Sequence, residues 1–585
     1  MRTDPAYWVT AIAAAKEFRT KYSNETRWDD LDRYYRNDWG ADQHKQPNFN
    51  LVFMHGRSLL PSLLFSRPHI LNSPRKPSFL PWASFFDSID NWICDEIEVE
   101  GVFTEAALYC YLYNIGAVQL GFDFVENDLV LSQEKMREYA GFAPIENCPD
   151  RTRRKNFPWL DLVEPNRLLF PWGTKTMRNC PWFAKIVCLS VDRLAEYGIT
   201  VDEKKTTTYS PTLKESEEIN QMIQKNANDK FVVFYEIHNA VTKQVCWLSA
   251  DGIMLKDWEK DDLQIDGLPM ETMVFNPNTK SIWGTSDALY IEPQMLDGND
   301  CRKMGMKQRR VALLKMLVDS NMLSEEELEK MYSDDALPAI RIKNLGERRL
   351  TDAVALLQPH IQSEFFMYQK QLMEDSQLML GFGPNQLGTF APGRRTKFEA
   401  QVVEERNFIR INERREIIGK AITGIFRKIN QLVVKNWNQL ILQRVIGVDG
   451  AMYWVEAKPK DFSDLRAELV TKVDVESMAP MSSARIKQEM IEVLGLVGKL
   501  PNTNTVPLVR ELLSKFPWAD VNAMLPQAPQ TGNMPMETFQ QQQQQMMDSP
   551  QMGTQLRQNL QPFMQMMPAR MEQRQQVRRK ANAPV

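Results

Sequence analysis

The sequence has little of what catalytic and metal sites are built from. Its five histidines (44, 55, 69, 238 and 360) are scattered, and none stands in an HExxH or Hx3–5H pattern, so a helical zinc site is not encoded in recognisable form. His55 and His69 lie in apolar runs and read as core histidines rather than ligands. Seven cysteines (94, 110, 148, 180, 188, 246 and 301) contain no CxxC and no Cys/His pair at finger spacing. An odd number of thiols in mostly apolar surroundings predicts reduced, buried side chains in a cytoplasm-like compartment. No GxxxxGKS/T loop exists, which argues against a P-loop nucleotide site. GFGPNQLG (381–388) departs from GxGxxG and follows a predicted helix, where the dinucleotide fingerprint needs a strand. The acidic turns at 261–262 (DD) and 333–335 (SDD) have the residue type for a metal, but solvated turns explain them more simply. No catalytic residue, cofactor or metal is therefore assigned.

Long apolar runs are also scarce. The start, MRTDPAYWVTAIAAAKEF, lacks the basic segment and apolar core of a signal peptide. The nearest thing to a membrane span, residues 106–122, is interrupted by Asn114 and Gln119 and changes at Gly116 to strand-like alternation. It predicts a buried helix followed by a strand. Excess charge of one sign is missing as well. A net charge of −4 argues against wholesale wrapping by nucleic acid and leaves local basic patches open.

What is present is enough apolar material, at 43 % of 585 residues, for two to four domains. The first 300 residues read as mixed α and β. Helical spacing runs over 7–36 and 50–66, and PRKPSFLPW (74–82) reads as a linker. Strands are predicted at 116–125, 128–132, 183–190, 231–238 and 244–249, with 201–228 a polar surface excursion. After Pro293 the pattern becomes helical: 294–318, then a short helix at LSEEELEK, a strand at LPAIRIKNL, and a second long helix at 361–380. Residues 396–441 lack proline. Ile411, Ile418, Ile422, Ile425, Ile429 and Leu432 keep one helical face, with Gly419 and Gly424 as points of bending. Strands at 452–458 and 467–475 and helices at 483–499 and 506–515 follow. From 526 the Gln/Met-rich tail reads as disordered, or as helical only against identical neighbours.

Two charge patterns and one loop stand out. Lys303, Lys307 and Arg310 share a face within 301–316, a stretch of six basic residues and no acidic one. A solvated face and a binding face both remain open. Arg406, Arg410 and Arg414 form a row at i, i+4. Such like-charge spacing weakens an isolated helix by a few tenths of a kcal/mol per pair, so acids of another segment or subunit, or phosphates, are expected to face it. The loop of about fifteen residues between two helices (381–395) exceeds the usual connection of about 2–8.

This order of elements resembles the portal (head–tail connector) proteins of tailed bacteriophages. VEPNRLLFPWGTKTMRNCPWFAKIVCLSVDRLAEYG (163–198) is similar to a family segment in which a loop precedes a strand and a short helix. SIWGTSDALYIEPQMLDGND (281–300) is similar to the family's entry into its first stem helix, with Gly284, Ser286 and Gln294 at familiar places. RRTKFEAQVVEERNFIRINERR (394–415) resembles the start of its long helix, including T-x-x-E-A.

The resemblance spans residues 1–520 and implies an α+β multidomain portal fold in a ring-forming oligomer, commonly of twelve copies. Its expected parts are a mixed wing (1–285), first stem helix (286–318), clip (319–360), second stem helix (361–380) and tunnel loop (381–395). A long kinked wing helix with returning strands (396–475), a helical crown (476–525) and a disordered or barrel-forming tail (526–585) complete the list. The implied role is a non-enzymatic channel at one capsid vertex, assembled in the host cytoplasm, through which double-stranded DNA is packaged and ejected. Implied partners are the terminase motor, a tail adaptor, and the major capsid and scaffold proteins, with no membrane. Asn385, Gln386, Leu387, Gly388, Thr389, Phe390, Arg394, Arg395 and Lys397 are the expected channel-loop residues. The basic face at Lys303, Lys307 and Arg310 is expected toward the channel or the shell, and Arg406, Arg410 and Arg414 toward neighbouring segments. Two alternatives stand: another structural virion protein of the tail or interior, and a nucleic-acid-processing enzyme, which would need clustered carboxylates around a metal.

Overall fold

The computed structural model describes residues 4–39, 48–64, 66–76, 79–123, 157–196, 198–199, 231–311, 315–318, 325–326, 354–357, 364–380, 397–437, 441–446, 452–458, 469–478, 491, 493, 495 and 534–548. Helices α1 (Pro5–Glu25), α2 (Trp28–Tyr35) and α3 (Leu51–Leu63) come first, then β1 (His69–Pro74), α4 (Leu80–Glu96) and α5 (Val99–Tyr113). Next are β2 (Gly116–Asp123), β3 (Phe157–Val163), β4 (Leu168–Leu169), β5 (Trp182–Ser190) and the short α6 (Val191–Glu196). β6 (Phe231–Asn239), β7 (Gln244–Ser249), β8 (Met254–Lys260) and β9 (Met270–Met273) lead into α7 (Asp287–Val311). β10 (Lys315–Val318), β11 (Val354–Leu357), α8 (Glu364–Leu380) and α9 (Lys397–Asn436) follow. β12 (Ile441–Ile446), β13 (Met452–Ala457), β14 (Leu469–Asp474), β15 (Met534–Pro535) and α10 (Met536–Asp548) close the described chain. The class is mixed α+β in two compact units: Met1–Trp28, Ser58–Ser286 and Phe408–Val585 in one, Asp29–Arg57 and Asp287–Asn407 in the other.

In the first unit, β4 to β8 form an antiparallel meander. Helix α1 covers one face because Trp8, Ile12 and Ala15 recur at helical spacing and pack on Trp182, Tyr235, Ile237 and Leu248. Burying each large apolar side chain there contributes about 1.5–3 kcal/mol. The helix starts where Asp4 caps Ala6 N–H at 3.1 Å, with Pro5 in its first turn. It stops at Thr26, whose hydroxyl donates to Tyr22 O, and Arg27 takes a positive φ of 54°. The helical spacing read over 7–36 is therefore divided between two helices.

A second antiparallel sheet, β3-β2-β9, packs on α5. The predicted change from helix to strand occurs at Asn114, which is left-handed at φ 77°. Gly116 then passes under the helix so closely that a Cβ would sit 2.3 Å from Ala106 O. Among the described residues, no helix is long and apolar enough to cross a membrane.

The expected linker at 74–82 is shorter at both ends, since Pro74 closes β1 and Leu80 begins α4. Pro81 lies in the first turn of α4, where a missing N–H costs nothing. β1 pairs with β14 on one side. On its other side α4 replaces a strand: Asn91 Oδ1 accepts from Ile70 N–H at 3.0 Å, Asn91 Nδ2 donates to Ile70 O at 2.9 Å, and Asp87 accepts from Asn72 N–H. His69, expected in the core, is exposed on this strand.

Helix α9 runs unbroken for 40 residues, roughly 60 Å. All six predicted core positions, from Ile411 to Leu432, are buried. It ends at Asn436, short of the expected 441, because Ile441–Ile446 pairs antiparallel with Met452–Ala457. The two glycines allow close approach: a Cβ on Gly419 would lie 3.0 Å from Val475, and one on Gly424 2.8 Å from Glu271.

The described part of the tail departs from expectation. Residues 534–548 form β15, which pairs with β13, and α10, which buries Phe539 against Tyr453 of the same chain at a ring separation of 5.3 Å. One aromatic in a Gln/Met segment supplies the anchor.

In the second unit α7 and α8 pack together. The helix expected over 294–318 instead spans 287–311, since Pro293 is accommodated inside it. Lys315–Val318, read as helical, is a strand paired with Val354–Leu357; a short apolar run fits either period, and its partner decides. Of LSEEELEK, Glu325 and Glu326 are helical. The predicted strands at 128–132 and LPAIRIKNL, the excursion at 201–228, the acidic turn at 333–335, the helix at 506–515 and most of 483–499 lie outside the described residues.

Candidate functional site

The α7/α8 pair is the element that carries the candidate basic face. Its contacts run antiparallel: Gln294 meets Met379, Gly298 lies 3.9 Å from Leu372 as a Cβ would see it, and Arg302 meets Gln369. Tyr368 donates to Asp297 at 2.7 Å. Buried Asn299 holds the chain at Phe49 with both amide groups, accepting from its N–H at 2.6 Å and donating to its carbonyl at 3.2 Å. His55 sits at the bottom of this packing, its Nε2 3.5 Å from Ser376 Oγ. Burial lowers its pKa to about 4, so it is neutral near pH 7.

The predicted basic residues on α7 separate into different roles. Arg302 turns inward and stacks over the Phe49 ring at 4.6 Å, its pKa lowered by burial. Lys303 is partly buried and pairs with Asp300 at 3.2 Å, an acid one residue outside the window that appeared free of acids. Lys307 is exposed. The side chain of Arg310 lies outside the described residues. The same pair of helices exposes Tyr290, Met304, Met367, Tyr368, Leu378 and Met379, each at least 44 % accessible in the single chain.

Of the arginine row on α9, Arg414 is buried and its guanidinium lies over the Phe275 ring at 5.7 Å. An aromatic face thus takes part of the role expected of acids or phosphates. The side chains of Arg406, Arg410 and Lys397 lie outside the described residues, as do Asn385, Gln386, Leu387, Gly388, Thr389, Phe390, Arg394 and Arg395 of the loop.

Two cations that anchor α9 were not singled out in the sequence. Arg415 is buried and donates through Nε to Ser62 O at 3.0 Å and through Nη1 to Asn412 at 2.8 Å. Lys428 donates to Met270 O and to Glu271. A signal existed: Lys428 stands between Ile425 and Leu432 on the buried face, where a charge requires a partner.

The meander holds a second charged cluster. His238 stacks on Phe183 at 4.8 Å and lies 3.4 Å from Glu236 and 3.7 Å from Asp261. Burial alone would lower its pKa, but Asp261 and Glu236 outweigh it and raise the value to about 9. Burial would raise Glu236, yet His238 and Lys185 bring it below its ordinary value. One member of the acidic pair at 261–262 thus faces a charged imidazole. Among the described residues no group of three or more His, Cys, Asp or Glu side chains is arranged to hold a metal. Six described cysteines are free and buried, and burial pushes Cys94, Cys180 and Cys246 up to about 12; thiols so placed are poor nucleophiles.

No family model matches the chain, and no curated protein is significantly similar to it.

Proposed function

We propose that this chain is the subunit of a portal ring, a DNA channel at a unique capsid vertex, and that it acts by assembly rather than catalysis. The observation that carries the reading is the order of its parts. A mixed α+β region is followed by an antiparallel helix pair, α7 and α8, that brackets two paired strands, and then by the 40-residue α9. That is the wing, stem, clip, stem and long-helix order of the family the sequence resembles. The apolar side chains exposed on α7 and α8 support it further, because a patch of Tyr, Met and Leu on one helix pair calls for a cover, and neighbouring copies in a closed ring supply one.

In this reading double-stranded DNA passes through the ring, with residues 381–395 as the loop that meets it. Weak, mobile contacts suit a channel for DNA of any sequence, since tight phosphate binding would hold it in place. The terminase motor and a tail adaptor dock in turn, with the major capsid and scaffold proteins as the surroundings. Deleting Gly383–Ala391 tests the reading. Rings that assemble normally but package or retain DNA poorly are expected; a deletion variant that packages normally counts against a channel loop.

A further inference from the structure

The joint between α9 and the β1/β14 pair is closed by a buried polar cluster with one donor too few. Asp90 on α4 is fully buried. Its Oδ2 accepts from Asn72 Nδ2 on β1 at 2.7 Å and from Asn430 Nδ2 on α9 at 3.0 Å. Thr471 on β14 donates to Asn72 Oδ1 at 2.7 Å and lies 3.3 Å from Asn430 Nδ2. Two buried oxygens then have no hydrogen-bond partner: Asp90 Oδ1 and Asn430 Oδ1. Both are acceptors, so no rotation of an amide or hydroxyl satisfies them together. A proton on the carboxyl turns one of the two acceptors into a donor.

We propose that Asp90 is held as a neutral acid whose proton bridges its Oδ1 to Oδ1 of Asn430, making one proton part of the fastening of α9 to α4, β1 and β14.

The surroundings agree. The groups facing Asp90 from β1, β14 and α9 are the neutral Asn72, Thr471 and Asn430. On α4 the neighbours that titrate are Asp87 and Cys94, and Asp87 opposes a second negative charge. No lysine, arginine or histidine among the described residues acts on Asp90. Burial raises its pKa to about 7 against the two amide hydrogen bonds, and burial raises Asp87 to about 6. The folded chain therefore holds the Asp90 proton more tightly than the unfolded chain does. The stability this gives is fully present below the unfolded value of 3.8 and is lost as pH rises through about 7. It makes the joint weaker in alkaline than in mildly acidic solution.

The test is infrared spectroscopy with thermal melts of the full chain, wild type and Asp90→Asn, across about pH 5 to 8. The amide of Asp90→Asn supplies the same donor and acceptor without a titrating group. The proposal expects a protonated-carboxyl band at about pH 6 that is missing from the variant. It also expects wild-type melting to fall relative to Asp90→Asn as pH rises, with a folding equilibrium that changes by up to tenfold per pH unit. Subtracting the variant separates the Asp90 band from that of Asp87. Equal bands in the two proteins, or a wild type that gains stability over the variant with rising pH, overturn the proposal. Failure of Asp90→Asn to fold overturns it too, because the neutral acid's geometry would then not be what the site requires.

Discussion

Lys428 Nζ lies 2.6 Å from Glu271 Oε1 and 3.0 Å from the carbonyl of Met270, tying the long helix α9 to strand β9. Burial lowers the lysine pKa and Glu271 partly restores it. Removing one partner leaves a buried charge, so Glu271→Leu alone is expected to cost about 3 kcal/mol. Replacing both, as Lys428→Met with Glu271→Leu, is expected to cost far less. Chemical denaturation of wild type, Lys428→Met, Glu271→Leu and the double variant checks this as a double-mutant cycle, and additive losses would contradict it.

Two glycines of one neighbourhood make opposite forecasts. A methyl on Gly116 meets backbone at Ala106 O and the Cys110 sulfur, so Gly116→Ala should destabilise by about 3 kcal/mol. A methyl on Gly101, in the first turn of α5, meets nothing within 4 Å. Gly101→Ala should therefore raise stability, by up to about 1 kcal/mol. Paired melting curves distinguish steric contact from a general intolerance of this helix.

His238 sets an alkaline limit on the meander. Its folded pKa, raised to about 9 from 6.5, contributes stability that is complete below 6.5 and disappears as pH rises through 9. His238→Gln should abolish that fall in melting temperature, and a variant with the wild-type profile would remove the histidine from the account. His55 works on the acid side. Held near 4 by burial, it opposes folding as pH drops below 6.5.

Residues 534–548 of the Gln/Met tail dock on β13. Phe539→Ala should cost about 3 kcal/mol, since its ring is buried against Tyr453. Truncation after residue 533 should lower the melting temperature below that of truncation after Asp548, because it also removes β15 and α10. Equal behaviour of the two truncations would show that α10 contributes nothing.

Much of this was legible because hydrophobic period and local breakers carry it. The α9 face from Ile411 to Leu432, the three central meander strands β5, β6 and β7, and the helix-to-strand change at Gly116 follow from spacing alone, whereas β4 and β8 were not read from it. β1 was hidden because one of its two inward positions, Asn72, is polar, and only the α4 cluster explains its burial beside Ile70. Lys315–Val318 reads equally well as helix or strand until Val354–Leu357 is beside it. The basic face on α7 looked uncompensated because Asp300 and Phe49 stand outside the window that defined it. Pairing between distant segments is what a one-dimensional pattern does not contain.

The central claim is assembly into a ring, and native mass spectrometry with negative-stain imaging of the purified full chain tests it most directly. Twelve chains of 67.9 kDa give a species on the order of 815 kDa, seen as a closed ring with a central hole. The account predicts that species, alone or after addition of scaffold protein. A chain that stays monomeric at high concentration with and without scaffold would contradict it.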